Sequence, residues 1–447
     1  MLAREFRRVV LIIGPFIFLI YVGIRCLDSR NSLTVFDHWY DYVFATNWRQ
    51  KDELKPHQQL LPSGSATQPG SMIEVESPIS ARKTYHEIFS ASAVDRKFFP
   101  IRFGQEEAIN PNVLPHPNLD NTFIIVAQKI KTDNTPEFLE LVCNAVFMLG
   151  GLTCVGPSSV LPITATKSGD GKCPTQLAYM ALNVGPHDAR VFYAPKSPFI
   201  IFGSNSKFAC FGQFIQDFRK LGDWGFEMGL DSGFAIGTEL QRPPPWGTIE
   251  KNWFLFWDED GAAYIHQDVS PKRVFAKLNA DGSVGPDLAP LAAGDEACLS
   301  KYMPKLPPDL ESIHQATNSL SISFCKRSDL TCKATGDNTF LFTVFQHKTF
   351  YRFHSEYEPY VMVFRQRAPF EVFAVSKKPI WIHGREERLD GGTDMFYVTS
   401  ISWKRRDLRH HGFLDDVLFI SFGIEDQRSG VIDVLAMDLL ADLGACL

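Results

Sequence analysis

The 447-residue sequence contains no Asn-x-Ser/Thr acceptor, no Cys-x-x-Cys pair, no Gly-x-Ser-x-Gly turn and no Gly-x-x-x-x-Gly-Lys loop. The first absence removes N-glycosylation, and the second turns the cysteines away from metal ligation. The last two remove the nucleophile elbow of α/β-hydrolases and the phosphate cradle of P-loop enzymes. Long helical patterns are scarce past residue 92, and Pro136 to Leu149 is the main segment that reads equally as helix or strand. An excess of basic charge is missing too. With 45 Lys and Arg against 51 Asp and Glu, the net charge of -6 offers no footprint for nucleic acid.

What is present begins with nine cysteines: Cys26, then Cys143, Cys154, Cys173, Cys210, Cys298, Cys325, Cys332 and Cys446. In an oxidising compartment the last eight are expected as bridges or buried thiols, with Cys325 and Cys332, which flank a short polar loop, as the first pair. Val9 to Ile24 is an unbroken apolar run with Arg4, Arg7 and Arg8 before it and Arg25 after it. At roughly 24 Å it suits one helix across a thin membrane, with its positive end cytoplasmic. A cleaved signal peptide is the alternative, although Gly23-Ile24-Arg25-Cys26 is a poor cleavage site. The stretch that follows is rich in Gln, Pro, Ser and Gly and cannot offset its ordering entropy by burial. The expected organisation is therefore a cytoplasmic tail over 1-8, a signal anchor over 9-25, a stem over 26-92 and a lumenal domain over 93-447. That layout resembles resident Golgi glycosyltransferases, and a Golgi membrane location is expected from it.

Strands dominate the large domain. Phe123 to Gln128, Phe199 to Phe202, Trp253 to Trp257, Phe340 to Phe345, Tyr360 to Phe364 and Val417 to Phe422 are short aromatic or β-branched runs bounded by Gly, Pro, Asn and Asp. They are apolar on both faces, as buried strands are. Strand pairs recurring at a roughly regular interval suit an all-β, five-bladed β-propeller, with a two-sheet sandwich as the structural alternative.

Five segments, in chain order, resemble the five-bladed β-mannoside phosphorylases and the related β-1,2-mannosyltransferases. They are Asn110-Pro111 with the strand ending at Gln128; His187-Asp188-Ala189-Arg190; Glu250-Lys251-Asn252-Trp253; Phe340 to His347; and Ser421-Phe422-Gly423-Ile424-Glu425-Asp426. The sequence departs from the family where Glu is replaced by His187, Pro by Ala189 and Arg by Gln128. The resemblance implies Asp188 as the general acid/base. It implies Lys251 and His347, aided by Arg190, as the binders of the donor phosphate, and Asn110, Gln128, His187 and Asp426 as sugar contacts. A single carboxylate suffices there because phosphate is itself the second group.

Each residue also has a plainer reading. Asp188 and Arg190 could merely fix a turn, Lys251 could be a solvated strand-end lysine, and His347 an exposed histidine. Asp258-Glu259-Asp260 matches the Asp-x-Asp metal motif of nucleotide-sugar transferases but is read as a hairpin turn, and His410-His411 with Asp415-Asp416 as a solvated loop. The expected function is transfer of mannose, in β linkage with inversion, from GDP-mannose or mannose-1-phosphate to a glycan acceptor. No cofactor, metal or nucleic acid is expected. A noncatalytic glycan-binding propeller and a metal-dependent transferase using Asp258 and Asp260 stand as alternatives.

Overall fold

The computed structural model describes residues 85–131, 137–166, 172–182, 184–227, 233–307, 311–351, 354–388 and 392–446. The expected anchor and most of the expected stem lie outside them. Among the described residues no helix is long and apolar enough to cross a membrane. Two compact units are distinguished. Among the described residues the larger holds those between 85 and 305, 313 and 348, and 356 and 446, and the smaller holds 306–307, 311–312, 349–351 and 354–355.

The described chain is all-β apart from short helical segments. Strands β1 (His86–Ile88) and β2 (Phe99–Arg102) lead into five successive antiparallel meanders. The first is β3 (Ala108–Pro115), β4 (Phe123–Lys129), β5 (Glu140–Met148) and β6 (Gly151–Cys154), with β7 (Ser159–Val160) on the flank of β5. The second is β8 (His187–Tyr193), β9 (Pro198–Asn205), β10 (Phe211–Asp217) and β11 (Thr238–Glu239). The third is β12 (Phe254–Trp257), β13 (Ala263–Asp268) and β14 (Val274–Lys277), after which comes helix α1 (Asp295–Tyr302). In the fourth, β15 (Glu311–Gln315) and β16 (Leu320–Ser323) both pair with the long β17 (Thr339–Tyr351), followed by β18 (His354–Arg365) and β19 (Val372–Ser376). Next, β20 (Ile380–Ile382) pairs with β1 in parallel. The fifth meander is β21 (Phe396–Trp403), β23 (Val417–Ile424) and β24 (Arg428–Leu435), with β22 (His411–Phe413) set against β16. Helix α2 (Ala436–Leu439) and β25 (Leu443–Ala445), which pairs with β19, end the described chain. The N-terminal β2 is the fourth strand of the fifth meander, antiparallel to β24, and also lies parallel to β6.

Alternation along the strands explains their two apolar faces. In β4, Ile124 and Val126 join Val191, Ile200 and Phe202 of the second meander, whereas Phe123, Ile125 and Ala127 join Phe419 and Val431 of the fifth. The second meander meets the third through Phe192, Ile201, Trp253 and Leu255. The third meets the fourth through Phe254, Phe256, Phe345 and Phe364, and the fourth meets the fifth through Phe342, Val361, Phe396 and Phe422. Each core cluster lies between consecutive meanders, and the fifth returns to the first. A period of two with both sides buried demands apolar residues at every position, which is the pattern seen.

Within the ambiguous segment Glu140–Met148 is a strand, β5, since its edges are claimed by β4 on one side and by β6 and β7 on the other. Four disulfides join Cys143–Cys154, Cys173–Cys210, Cys298–Cys446 and the expected Cys325–Cys332. Strand β1 lies inside the segment read as stem: Tyr85 donates to Glu358 and Ser90 to Asp433, so the chain is part of the fold before residue 93.

Candidate functional site

Three meanders begin their first strand with an irregularity of the same kind. Asn110, Asp188 and Asn252 all have left-handed backbones, with φ of 56°, 50° and 64°. Pairing slips between Ile109 and Asn112 in β3 and between His187 and Arg190 in β8. A left-handed backbone at a residue other than glycine costs on the order of 1–2 kcal/mol and persists where its surroundings over-determine it. Here they do. Gln128 Oε1 accepts the backbone N–H of Asp188 at 2.9 Å and Glu140 Oε1 accepts that of Ala189 at 3.1 Å. Asn112 donates to the Ala189 carbonyl at 2.7 Å and accepts from the Val191 amide at 3.2 Å.

The bulge projects the Asp188 side chain, 28% exposed, into a polar cluster. Its Oδ1 accepts from Asn110 Nδ2 at 2.7 Å, and its Oδ2 lies 2.9 Å from His187 Nδ1. Burial by itself would raise the pKa of Asp188. The charge and hydrogen bond of His187, with Lys251 and Arg190 behind it, outweigh burial and hold the carboxyl well below its ordinary value of 3.8. Asp188 is therefore ionised. Gly185 precedes this turn at φ 94°, where a Cβ would overlap the Phe138 carbonyl, and the Phe138 ring in turn sits edge-on to His187 at 4.4 Å.

Arg190, on the same strand, is 3% exposed and donates to Asn252 Oδ1 at 3.2 Å and to the Tyr397 hydroxyl at 3.0 Å. Asn252 approaches His314 Nδ1 at 3.4 Å, His314 meets the Tyr357 ring at 5.9 Å, and Tyr357 meets Tyr397 at 4.9 Å. These contacts close a polar ring built from the second, third, fourth and fifth meanders. Asn110 adds the first. Its Oδ1 faces Gly423, where an added Cβ would lie 2.5 Å away, so glycine is what lets β23 approach.

Of the residues singled out in the sequence, Asn110, Gln128, His187, Asp188 and Arg190 are brought together, and Lys251 is near enough for its charge to act on Asp188. His347 lies on β17. It is buried, not an exposed histidine, and its Nδ1 lies 3.6 Å from Glu358 of β18. The adjacent Lys348, also buried, carries its ammonium 5.6 Å from the Tyr357 ring centroid, on the side of the ring cluster. Asp426 occupies the turn between β23 and β24, left-handed like Glu425 before it. The residues to which sequence reasoning gave no role are Asn112, Glu140, Asn252, His314, Lys348 and Tyr397.

The Asp-x-Asp motif is a hairpin turn between β12 and β13. Asp258 Oδ1 accepts the amides of Asp260 and Ala262, and Oδ2 accepts from the Tyr264 hydroxyl at 3.1 Å. His410 and His411 are not a solvated loop. His410 is buried against Trp257, and His411 lies 2.9 Å from Ser321 Oγ, because β22 inserts between the fourth and fifth meanders. Asp415 and Asp416 hold the backbone and guanidinium of Arg327.

No family model matches the chain, and no curated protein matches it. Among solved structures it is similar to the β-1,2-mannobiose phosphorylase from Listeria innocua in complex with β-1,2-mannobiose, with a TM-score of 0.42, 10% identity and coverage of 79% of this chain and 96% of that one. It is similar to a GDP-Man-dependent mannosyltransferase from Leishmania mexicana, with a TM-score of 0.40, 9% identity and coverage of 77% and 91%. A thermostable family-43 glycoside hydrolase follows with a TM-score of 0.37, 10% identity and coverage of 75% and 91%.

Proposed function

We propose that the five meanders are the blades of a β-propeller and that the chain transfers mannose, in β linkage and with inversion, from GDP-mannose or mannose-1-phosphate to a glycan acceptor. The observation that carries this reading is the Asp188 carboxyl held between Asn110 and His187, with Arg190 two residues along the same strand. The order of the five family-like segments along the sequence supports it.

An ionised carboxylate suits one direction of the chemistry. In transfer, the acceptor hydroxyl oxygen attacks the anomeric carbon as its proton passes to Asp188. The bond from that carbon to the phosphate oxygen breaks, and its electron pair leaves with the phosphate. That leaving group needs positive charge and no proton, which is what Arg190, Lys251 and Lys348 offer. Cleavage of a glycoside would need Asp188 protonated, and its surroundings oppose that. The reading also places residues 9-25 across a Golgi membrane, with the propeller in the lumen. An epitope tag after Leu447 should then resist protease in intact microsomes; digestion there would overturn the topology.

The test of the activity is a donor screen on the purified chain, reading extended mannosides by mass. Asp188→Asn keeps the side-chain volume and should lower turnover by about 10²- to 10⁴-fold while leaving donor affinity and melting temperature close to wild type. A folded Asp188→Asn protein with near-normal turnover would remove Asp188 from the mechanism.

A further inference from the structure

Glu140 is the first residue of β5, directly opposite Gln128 of β4. It is fully buried. One oxygen takes the Ala189 amide, and the other has no hydrogen-bond partner among the described residues. Gln128 takes the amide of Asp188, so two side chains facing each other across β4 and β5 receive the two successive N–H groups at the bulge. They stand where a paired strand would otherwise supply carbonyls. The charged neighbour of Glu140 is Asp188 from β8; Gln128 of β4, Ala189 of β8 and Leu161, whose amide donates to the Glu140 carbonyl, carry no charge.

We infer that Glu140 is a positioning residue for the reaction proposed above: a neutral carboxylic acid that fixes the left-handed backbone of Asp188 and so aims its carboxylate, without setting a second negative charge beside it. A buried carboxyl with no cation against it favours the neutral form, and the proximity of Asp188 adds to that preference. The inference rests on Asp188 being the base, but its protonation state is measurable without turnover.

Two readouts test it. In the infrared difference spectrum of wild type against Glu140→Gln at neutral pH, a protonated-carboxyl carbonyl band should be present in wild type and absent from the variant. A carboxylate-only difference would overturn the neutral assignment even if the protein transfers no sugar at all. In the transfer assay wild-type kcat should fall at alkaline pH as Glu140 ionises, and Glu140→Gln, which keeps an acceptor and no charge, should stay within a few-fold of wild-type kcat at neutral pH and lack that fall. Glu140→Ala, checked for folding by melting temperature, should lose about 10²-fold in kcat with donor affinity unchanged, as for other small misplacements of a reacting group. Equal, severe loss in the Gln and Ala variants would mean that the carboxyl proton itself is used, and normal kcat in a folded Ala variant would mean that it positions nothing. Either result overturns the inference.

Discussion

Lys251 and Arg190 set more positive charge about Asp188 than the base of the proposed transfer would need. On the proposed function, a donor bringing phosphate against Arg190 and Lys251 would offset that charge and make the carboxylate a stronger proton acceptor as the donor settles. The geometry behind this rests on close approaches. Asn110 Nδ2 reaches Asp188 only because Gly423 leaves room for the amide oxygen, Oδ1, so Gly423→Ala should displace Asn110 and reduce turnover by about 10- to 100-fold with little change in melting temperature. Steady-state kinetics beside a thermal melt would check it, and unchanged kcat would show that Asn110 does not aim the base.

At the scale of elements, the strands were legible where aromatic and β-branched runs sit between turn residues, as in Phe254–Trp257 and Val417–Ile424. Glu140–Met148 was ambiguous because its Leu, Val, Ala and Phe suit either state until neighbours claim both of its edges. Within the site, Asp188 and Arg190 stand two apart on one strand and could be read together. Asn252, Tyr357 and Tyr397 could not, since only the meeting of separate meanders brings them to Arg190. The insertion of β22 belongs to the same class of long-range event, and it buries His410. Burial, with His411 beside it, pushes the His410 imidazole down to about 3. The unfolded chain takes up a proton there near pH 6.5 and the folded chain does not. Stability is therefore complete above that pH and falls by about 1.4 kcal/mol per unit as the pH drops toward 3. His410→Phe should flatten this slope by about one proton in urea melts run from pH 7 to 4; an unchanged slope would show that His410 is protonated in the fold.

For the molecule as a whole, the five clusters between consecutive meanders make each one a partner of two others. The disulfides differ greatly in what they constrain. Cys298–Cys446 spans 148 residues and ties the segment around β25 to α1, whereas Cys325–Cys332 spans 7. On loop-closure grounds, replacing the first pair by serines should cost about 5 kcal/mol and the second about 2–3 kcal/mol. Denaturant titration of the two double variants would show the difference, and equal costs would place the effect in the native state.

The pairing of Phe99 in β2 with Val431 in β24 has a consequence for how the protein comes into being. During synthesis the first meander emerges with its apolar face toward the fifth still uncovered, because Phe419 and Val431 lie some 300 residues downstream. At ~5–20 residues per second, that surface waits about 15–60 s for its partner. The chain is thus committed to completing this core only after the ribosome has read the fifth meander, and the exposed side of β4 is where a chaperone would have its longest opportunity to bind.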